Sequence, residues 1–119
     1  MREKLHKVYH IYITASRPRG VLYVGMTSDL AARVWQHRER VREGFSKRYW
    51  VDRVVYFEAH DDAHIAARRE RAMKRWRRDW KIALIEEHNP TWRDLFADVL
   101  VAEGSRGEGA IEPTGEDPG

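Results

Sequence analysis

Two short runs of β-forming residues near the N-terminus constrain the fold more than any other feature of the sequence. Residues 7–14, KVYHIYIT, are rich in β-branched and aromatic side chains, which predicts a strand. Residues 16–20, SRPRG, contain proline and glycine and predict a turn, and residues 21–25, VLYVG, predict a second strand. A strand, a short turn and a strand form a hairpin, so we expect the chain to begin with an antiparallel pair.

A helix is predicted after the hairpin, from about residue 29 to residue 41. Thr27 or Ser28 is a suitable N-cap, and Asp29 is favourably placed in the first turn. Helical spacing places three apolar residues on one buried stripe: Leu30, Val34 and Val41. At 100° per residue His37 falls near the centre of this stripe and Arg33 at its edge, which is uncommon for polar residues without partners.

The second half of the chain predicts one more strand and two more helical segments. Residues 43–52 are expected to form a loop that enters a strand at 53–59. A helix capped by Asp61 or Asp62 should run from 63 to 78, and a second helical piece should cover 79–88. The predicted apolar residues of the 63–78 helix are Ile65, Ala72, Met73 and Trp76, and those that pack back after it are Trp92, Leu95, Phe96 and Leu100.

The resulting fold class is α/β, with a three-stranded antiparallel sheet flanked by helices. A chain of 119 residues has room for one core, which we expect within residues 1–103. Residues 104–119 are rich in glycine and acidic residues and are expected to be a disordered tail.

Composition excludes several classes of protein. The sequence contains no cysteine, which excludes disulfides and thiolate zinc sites and favours a cytoplasmic location. No run of 18 apolar residues is present, so neither a membrane span nor a membrane partner is expected.

The charge pattern favours a polyanionic partner. The net charge is +3, although the last sixteen residues carry four acids against one arginine. Eight basic residues lie between Arg68 and Lys81 against only two acids, a density that suits nucleic acid. The alternative interpretation of this run is a solvated helix face.

An ordered set of short motifs runs through these predicted elements: Ile11-Tyr12-Ile13, Tyr23-Val24-Gly25, Asp29-Leu30 followed by Arg33 and His37, Arg69-Glu70, and Asn89-Pro90. Eleven residues separate Tyr12 from Tyr23, ten separate Tyr23 from Arg33, and four separate Arg33 from His37. The set resembles the GIY-YIG nuclease family, in particular the small stand-alone bacterial proteins related to the nuclease domain of the bacterial excision-repair endonuclease. The resemblance covers roughly residues 7–96, with His10 in place of the first glycine.

The resemblance implies hydrolysis of a phosphodiester bond with one divalent metal ion. Glu70 is implied to hold Mg²⁺ or Mn²⁺, and Arg33 to bind the scissile phosphate. Tyr12 is implied to help activate water, assisted by Tyr23 and His37. Asn89 is implied to support the site.

These residue types suit that chemistry. Mg²⁺ prefers carboxylate oxygen and usually keeps several waters, so one glutamate is enough if the substrate completes the shell. Arginine presents a planar fork that matches phosphate oxygens. A free tyrosine has a pKa of about 10, so roughly one phenol in a thousand is ionised at pH 7. Either the metal and Arg33 favour the phenolate of Tyr12, or His37 takes the proton.

Each residue alone also has an ordinary structural interpretation. Glu70 could simply pair with Lys74 one helical turn away, and Tyr12 and Tyr23 could be sheet residues. His60 and His64 could imitate a metal pair, although no third ligand is evident.

Three functions compete at this stage. The first is a metal-dependent endonuclease, acting on DNA in repair or recombination. The second is a nucleic-acid-binding module without catalysis, and the third is a protein-interaction domain. The expected nucleic-acid contacts are Arg38, Lys47, Arg48, Arg69, Lys74 and Arg77. Trp35 is expected to be exposed, where it could stack on a base or serve the structure.

Overall fold

The computed structural model describes residues 7–42 and 53–104. It contains the predicted three strands and the predicted helices, together with one helix that the sequence had not predicted. The elements are β1 (Tyr9–Ala15), β2 (Leu22–Thr27), α1 (Leu30–Arg42), β3 (Arg53–His60), α2 (Ala63–Arg75), α3 (Arg78–His88) and the unexpected α4 (Phe96–Gly104).

The sheet is antiparallel with the strand order β2-β1-β3, so β1 is its central strand. Tyr12 lies opposite Gly25 on β2 and opposite Phe57 on β3. The register between β1 and β3 shifts between Ile13 and Thr14. The predicted α/β class with a three-stranded antiparallel sheet is therefore confirmed.

Helices cover both faces of the sheet and divide the core in two. One cluster joins Ile11 and Ile13 of β1 to Met73 of α2 and to Leu84 and Ile85 of α3. The other joins Tyr12 to four residues of neighbouring elements: Leu30, Val34, Val54 and Val99. Because helices cover both faces of the sheet, every residue of β1 from His10 to Ala15 is buried. In a hairpin with one face in solvent, alternate residues would be exposed.

The N-cap of α1 is Asp29, which corrects the prediction of Thr27 or Ser28. The Asp29 carboxylate accepts a hydrogen bond from the backbone N–H of Ala32, and its carbonyl accepts one from Arg33. Thr27 instead accepts a hydrogen bond from the N–H of Asp29. A carboxylate satisfies the free N–H groups of the first turn and complements the helix dipole, so this position suits aspartate.

The buried face of α2 differs from the predicted one. Asp62 caps the helix as expected, accepting from the N–H of Ile65. Ile65 itself is 54% exposed, however, and the buried residues are Ala66 and Met73. Residues seven apart share a helix face, so the face that begins at Ala66 excludes Ile65 and Ala72, which lie 100° away.

The predicted 63–78 helix is also too long. It ends at Arg75, because Trp76 and Arg77 both adopt extended backbone conformations before α3 begins. The change of direction between α2 and α3 therefore falls at two large side chains, with no glycine or proline to indicate it in the sequence.

The segment after α3 packs against the rest of the domain as expected, except that Val99 is buried where Leu100 was predicted to be. Trp92 is buried, and Leu95 and Phe96 pack against the second cluster. Leu100 is 48% exposed, and Val99 takes the buried position on α4 instead. No helical register was predicted for this segment, so the sequence could not distinguish between these neighbours.

None of the helices in the described ranges has the length and apolar character needed to cross a lipid bilayer. The expected disordered tail falls outside the described residues from position 105 onward.

Candidate active site

Tyr12 occupies the centre of the sheet, and Gly25 makes room for its ring. Tyr12 is 2% exposed and lies opposite Gly25 on the neighbouring strand. A Cβ atom at Gly25 would lie 3.0 Å from Cε2 of Tyr12 and closer still to Cζ and Oη. Glycine is thus required here for space, because the phenol crosses the strand above it.

Tyr23 extends this site to the surface. It lies opposite Thr14, two positions from Tyr12, so both tyrosines project from the same face of the sheet. Their ring centroids are 6.2 Å apart, and Tyr23 is 46% exposed. The two neighbouring rings therefore connect a buried phenol, that of Tyr12, with a solvent-accessible one, that of Tyr23.

Two opposite charges act on the Tyr12 phenol. Burial is the largest cause that raises the pKa of Tyr12 to about 12, and Tyr23 raises it as well. Arg33 lowers this pKa, whereas Glu70 raises it. Such effects weaken with distance, so Arg33 of α1 and Glu70 of α2 lie close enough to Tyr12 to influence its ionisation. Four residues that are distant in the sequence are thus brought together.

Arg33 is exposed on the first turns of α1 and has no acidic partner within residues 7–42 and 53–104. The hydrogen bond from its N–H to the Asp29 carbonyl fixes its place on the helix. The backbone of His37 lies one turn further along α1, while its side chain and that of Arg38 lie outside the described atoms. Lys47 and Arg48 also fall outside the described residues.

Glu70 lies in the middle of α2, one helical turn from each of the buried residues Ala66 and Met73. Its side chain is 21% exposed, and its Oε2 lies 2.9 Å from Nζ of Lys74. The ion pair between Glu70 and Lys74 that the sequence suggested is thus present, and Glu70 also acts on the Tyr12 phenol. No group of three or more histidine, cysteine, aspartate or glutamate residues that could hold a metal ion occurs among the described residues.

A buried network around Glu58 had not been predicted from the sequence. Glu58 is 4% exposed, and its carboxylate accepts hydrogen bonds from Nε and Nη2 of Arg69 at 2.8 and 2.9 Å. Tyr56 also donates its hydroxyl hydrogen, and Nε2 of His60 lies 2.7 Å from Oε2. Tyr56, Glu58 and His60 alternate along β3 and so share one face, which was a signal available in the sequence.

The charge of this carboxylate is stabilised by its donors. Burial raises the pKa of Glu58, but hydrogen bonds from Arg69, Tyr56 and His60 together outweigh it, so the pKa lies below its usual value. Burial, followed by the charge of Glu58, raises the pKa of Tyr56 far above its usual value. The network therefore fixes α2 on β3 at the residue that precedes Glu70.

Arg69 was predicted to contact nucleic acid, and the structure assigns its guanidinium elsewhere. Its side chain is only 13% exposed, and its Nε and Nη2 both donate to the Glu58 carboxylate. A buried guanidinium that left this carboxylate would leave an unpaired charge behind. The accessible cations of the basic run are others, including Lys74 at 50% and Arg77 at 70% exposure.

Asn89 supports the fold through the main chain. It is 3% exposed, and its Nδ2 donates to the carbonyls of Val55 and Arg93 at 3.1 and 3.0 Å. Its Oδ1 accepts from the N–H of Arg93. The side chain thus ties the end of α3 to β3, and its hydrogen-bonding groups are used within the protein.

Two remaining sequence predictions concern aromatic and histidine residues. Trp35 is 53% exposed as expected, and its ring stacks on Phe96 of α4 at 6.4 Å. His60 contacts Glu58, whereas His64 is exposed, and the two belong to no metal-binding group among the described residues.

The three-stranded sheet thus places two tyrosines with ring centroids 6.2 Å apart, in a region where Arg33 and Glu70 both act on the Tyr12 phenol. The chain matches the family model of the GIY-YIG catalytic domain over residues 8–83, more than half of its 119 residues. It therefore belongs to the GIY-YIG family of endonucleases, whose substrates are nucleic acids. No curated protein and no solved structure matches the chain significantly.

Proposed function

We propose that this protein is a divalent-metal-dependent endonuclease that cuts DNA in repair or recombination in the cytoplasm. The observation that carries the proposal is the pair of Tyr12 and Tyr23, with ring centroids 6.2 Å apart on one sheet face, together with Arg33 and the partly exposed carboxylate of Glu70, both of which act on the Tyr12 phenol. A cation for the phosphate, a carboxylate for a metal and a hydroxyl group for proton transfer are the parts that phosphodiester hydrolysis needs.

Glu70 is the residue that would hold Mg²⁺ or Mn²⁺. Its partly exposed carboxylate fits a hard cation that keeps most of its waters. Lys74 competes for the same oxygen, but this ion pair is half-exposed, and such pairs contribute only about 0–1 kcal/mol. When bound, the ion would offset the negative charge that develops on the phosphate.

Arg33 would bind the scissile phosphate. It is exposed on the helix whose first turn follows β2, and it lies near enough to lower the pKa of Tyr12. A guanidinium stays charged at all working pH values and can contact two phosphate oxygens at once. Binding at Arg33 therefore brings the phosphate towards the tyrosine pair.

The proton acceptor is either Tyr12 or His37. With a pKa of about 12, the phenol of Tyr12 is protonated at neutral pH, so it can orient or donate to a water molecule before it can accept from one. Histidine ionises near pH 6.5 and accepts a proton without such a change. A rate that falls below pH 6.5 and loses this limb in His37→Gln identifies histidine as the acceptor.

The test is nicking of plasmid DNA by the purified chain with and without Mg²⁺ or Mn²⁺. Glu70→Ala and Arg33→Ala should each reduce the rate by at least about 100-fold, as loss of a charge-stabilising group usually does. Glu87→Ala, which removes an exposed acid on α3, is the matched control and should retain full activity. Nicking that is equal in Glu70→Ala and the parent protein, or that needs no metal, contradicts the proposal.

A nucleic-acid-binding module without catalysis is the second candidate. Two observations favour it: the ion pair of Glu70 with Lys74, and His10 at the position of the first glycine of the family motif. This candidate predicts salt-sensitive binding that Glu70→Ala leaves intact or improves, with no cleavage by either protein. Any cleavage of DNA by the parent protein excludes this second candidate. The same assay with single-stranded, duplex and branched DNA and with RNA defines the substrate.

A further inference from the structure

An exposed indole is held in a fixed position at the junction between α2 and α3. Trp80 is 52% exposed on the first turn of α3. The ring of Trp76 meets it edge to face, with centroids 6.1 Å apart and an interplanar angle of 74°. Trp76 is partly buried against the core, and the guanidinium of Arg69 lies 5.2 Å from its ring centroid. The network around Glu58 therefore supports the ring that orients Trp80.

This indole lies within the basic run between Arg68 and Lys81. The guanidinium of Arg77 is 6.0 Å from the Trp80 ring centroid, and its side chain is 70% exposed. Lys74, Arg75 and Arg78 are exposed and close to Trp80 in the sequence. Asp79, whose Oδ1 lies 3.5 Å from Nε of Arg77, is the only acid between positions 74 and 81. An aromatic face beside several cations is suited to a ligand that combines planar rings with regular negative charge.

Single-stranded nucleic acid has that combination. Each unpaired nucleotide offers a π-face that stacks on an aromatic side chain and a phosphate that attracts arginine. An acidic protein segment offers charge, but it has no regular ring to cover the indole. A paired base, in contrast, is already stacked within the duplex and exposes only its edge.

We propose that Trp80 stacks on an unpaired base of the substrate strand and that Arg77 contacts an adjoining phosphate. This inference rests on the proposed function, because it assigns an accessory contact to the same substrate. Arg75, the last residue of α2, lies five residues beyond Glu70, about 7.5 Å further along the helix axis at 1.5 Å per residue. A strand that binds near Glu70 and follows α2 to its end would meet Trp80 on the first turn of α3, so the protein engages substrates with an unpaired segment beside the cleavage position.

The test measures binding by the intact chain in EDTA, so that no cleavage is needed. A labelled thymidine oligonucleotide is compared with an abasic oligonucleotide of the same length and charge, which keeps the phosphates and removes the bases. The parent protein should bind the thymidine strand more tightly. Trp80→Ala should weaken binding of this strand by roughly 5- to 150-fold and leave binding of the abasic strand unchanged. Trp80→Phe should retain part of the preference.

Two further variants separate stacking from charge. Arg77→Gln should reduce the slope of log K against log salt by about 0.7, the contribution of one phosphate on a single strand. Trp35→Phe is the matched control, because Trp35 is equally exposed at 53% but already stacks on Phe96. It should leave the preference for bases unchanged. Thermal melting of each variant confirms that the fold is retained.

The inference is overturned if Trp80→Ala binds both strands as the parent does, if Trp35→Phe removes the preference instead, or if no oligonucleotide binds. It is also overturned if polyglutamate reduces acrylamide quenching of the parent protein but not of Trp80→Ala, and the thymidine strand has no such effect, which identifies an acidic protein partner. Failure here leaves the nicking assay unaffected. A chain that stacks bases through Trp80 but never cleaves DNA contradicts only the proposed catalytic activity.

Discussion

The phenol ring of Tyr12 lies directly across the Cα atom of Gly25 on the adjacent strand. This contact explains why the second motif of the chain ends in glycine. The backbone of β2 must remain bare at this position, since any side chain would occupy the space of the phenol. The contact also directs the Tyr12 hydroxyl towards the surface marked by Tyr23.

Gly25→Ala should displace the Tyr12 ring. Overpacking of a filled core costs about 1–3 kcal/mol, so we expect a loss of stability of this size together with a large loss of nicking activity. Denaturant titration measures the stability. In a Tyr12→Ala background the added methyl group has room, so Gly25→Ala should then cost much less. Equal costs in the two backgrounds contradict the proposed contact.

Glu58→Ala should destabilise the protein strongly. It leaves the buried guanidinium of Arg69 without a counter-charge, and breaking a buried pair in this way costs about 3–5 kcal/mol. Asp98→Ala is the control, because it removes an equally direct partner of an arginine, Arg93, at the surface. A similar fall in the urea midpoint for both variants would show that burial does not matter here.

The same carboxylate should make the protein sensitive to acid. The pKa of Glu58 is below its usual value in the folded state, so its contribution to stability is complete above the unfolded pKa of about 4.3. That contribution is lost as the pH falls through the lower folded value. The free energy of unfolding of the parent protein should therefore fall more steeply below pH 4.3 than that of Glu58→Gln. Parallel curves contradict this assignment.

Tyr12 should make the protein sensitive to alkali. Its pKa rises from about 10 in the unfolded chain to about 12 in the fold, so the folded state binds the proton more tightly. This contribution is complete below pH 10 and is lost as the pH rises towards 12. Tyr12→Phe, which cannot ionise, should lose less stability over that range. The raised pKa of Tyr56 also affects stability in alkali, but this contribution is the same in both proteins and cancels in the comparison.

Asn89→Ala should weaken the fold without changing the chemistry. It leaves the carbonyl of Val55 and two backbone groups of Arg93 without this partner, and each unsatisfied buried group costs about 1–3 kcal/mol. The melting temperature should fall, while the rate per folded molecule and its metal dependence at low temperature stay constant. A fall in rate at unchanged stability would place Asn89 in the active site instead.

Predictions that depend on local sequence agreed well with the structure. The hairpin follows from two β-rich runs around a proline-glycine turn, and the cap at Asp62 follows from the chemistry of helix starts. Two of the misplaced features depended on packing: α2 was given the wrong face at Ile65 and the wrong end at Trp76. The N-cap of α1, at Asp29 rather than at Thr27 or Ser28, was a misplaced local feature.

The sequence by itself determined the strands, most of the helices and the family, because periodicity, turn residues and motif spacing are properties of neighbours along the chain. It also predicted the residues of the candidate site, whose roles stay predictions. Only the tertiary structure decided that Arg69 belongs to Glu58 rather than to a phosphate, and that Trp80 remains exposed beside Arg77. Arg69 and Glu58 are eleven positions apart in the sequence and lie on different elements, α2 and β3. Their pairing depends on how α2 crosses β3, and no local pattern encodes that crossing.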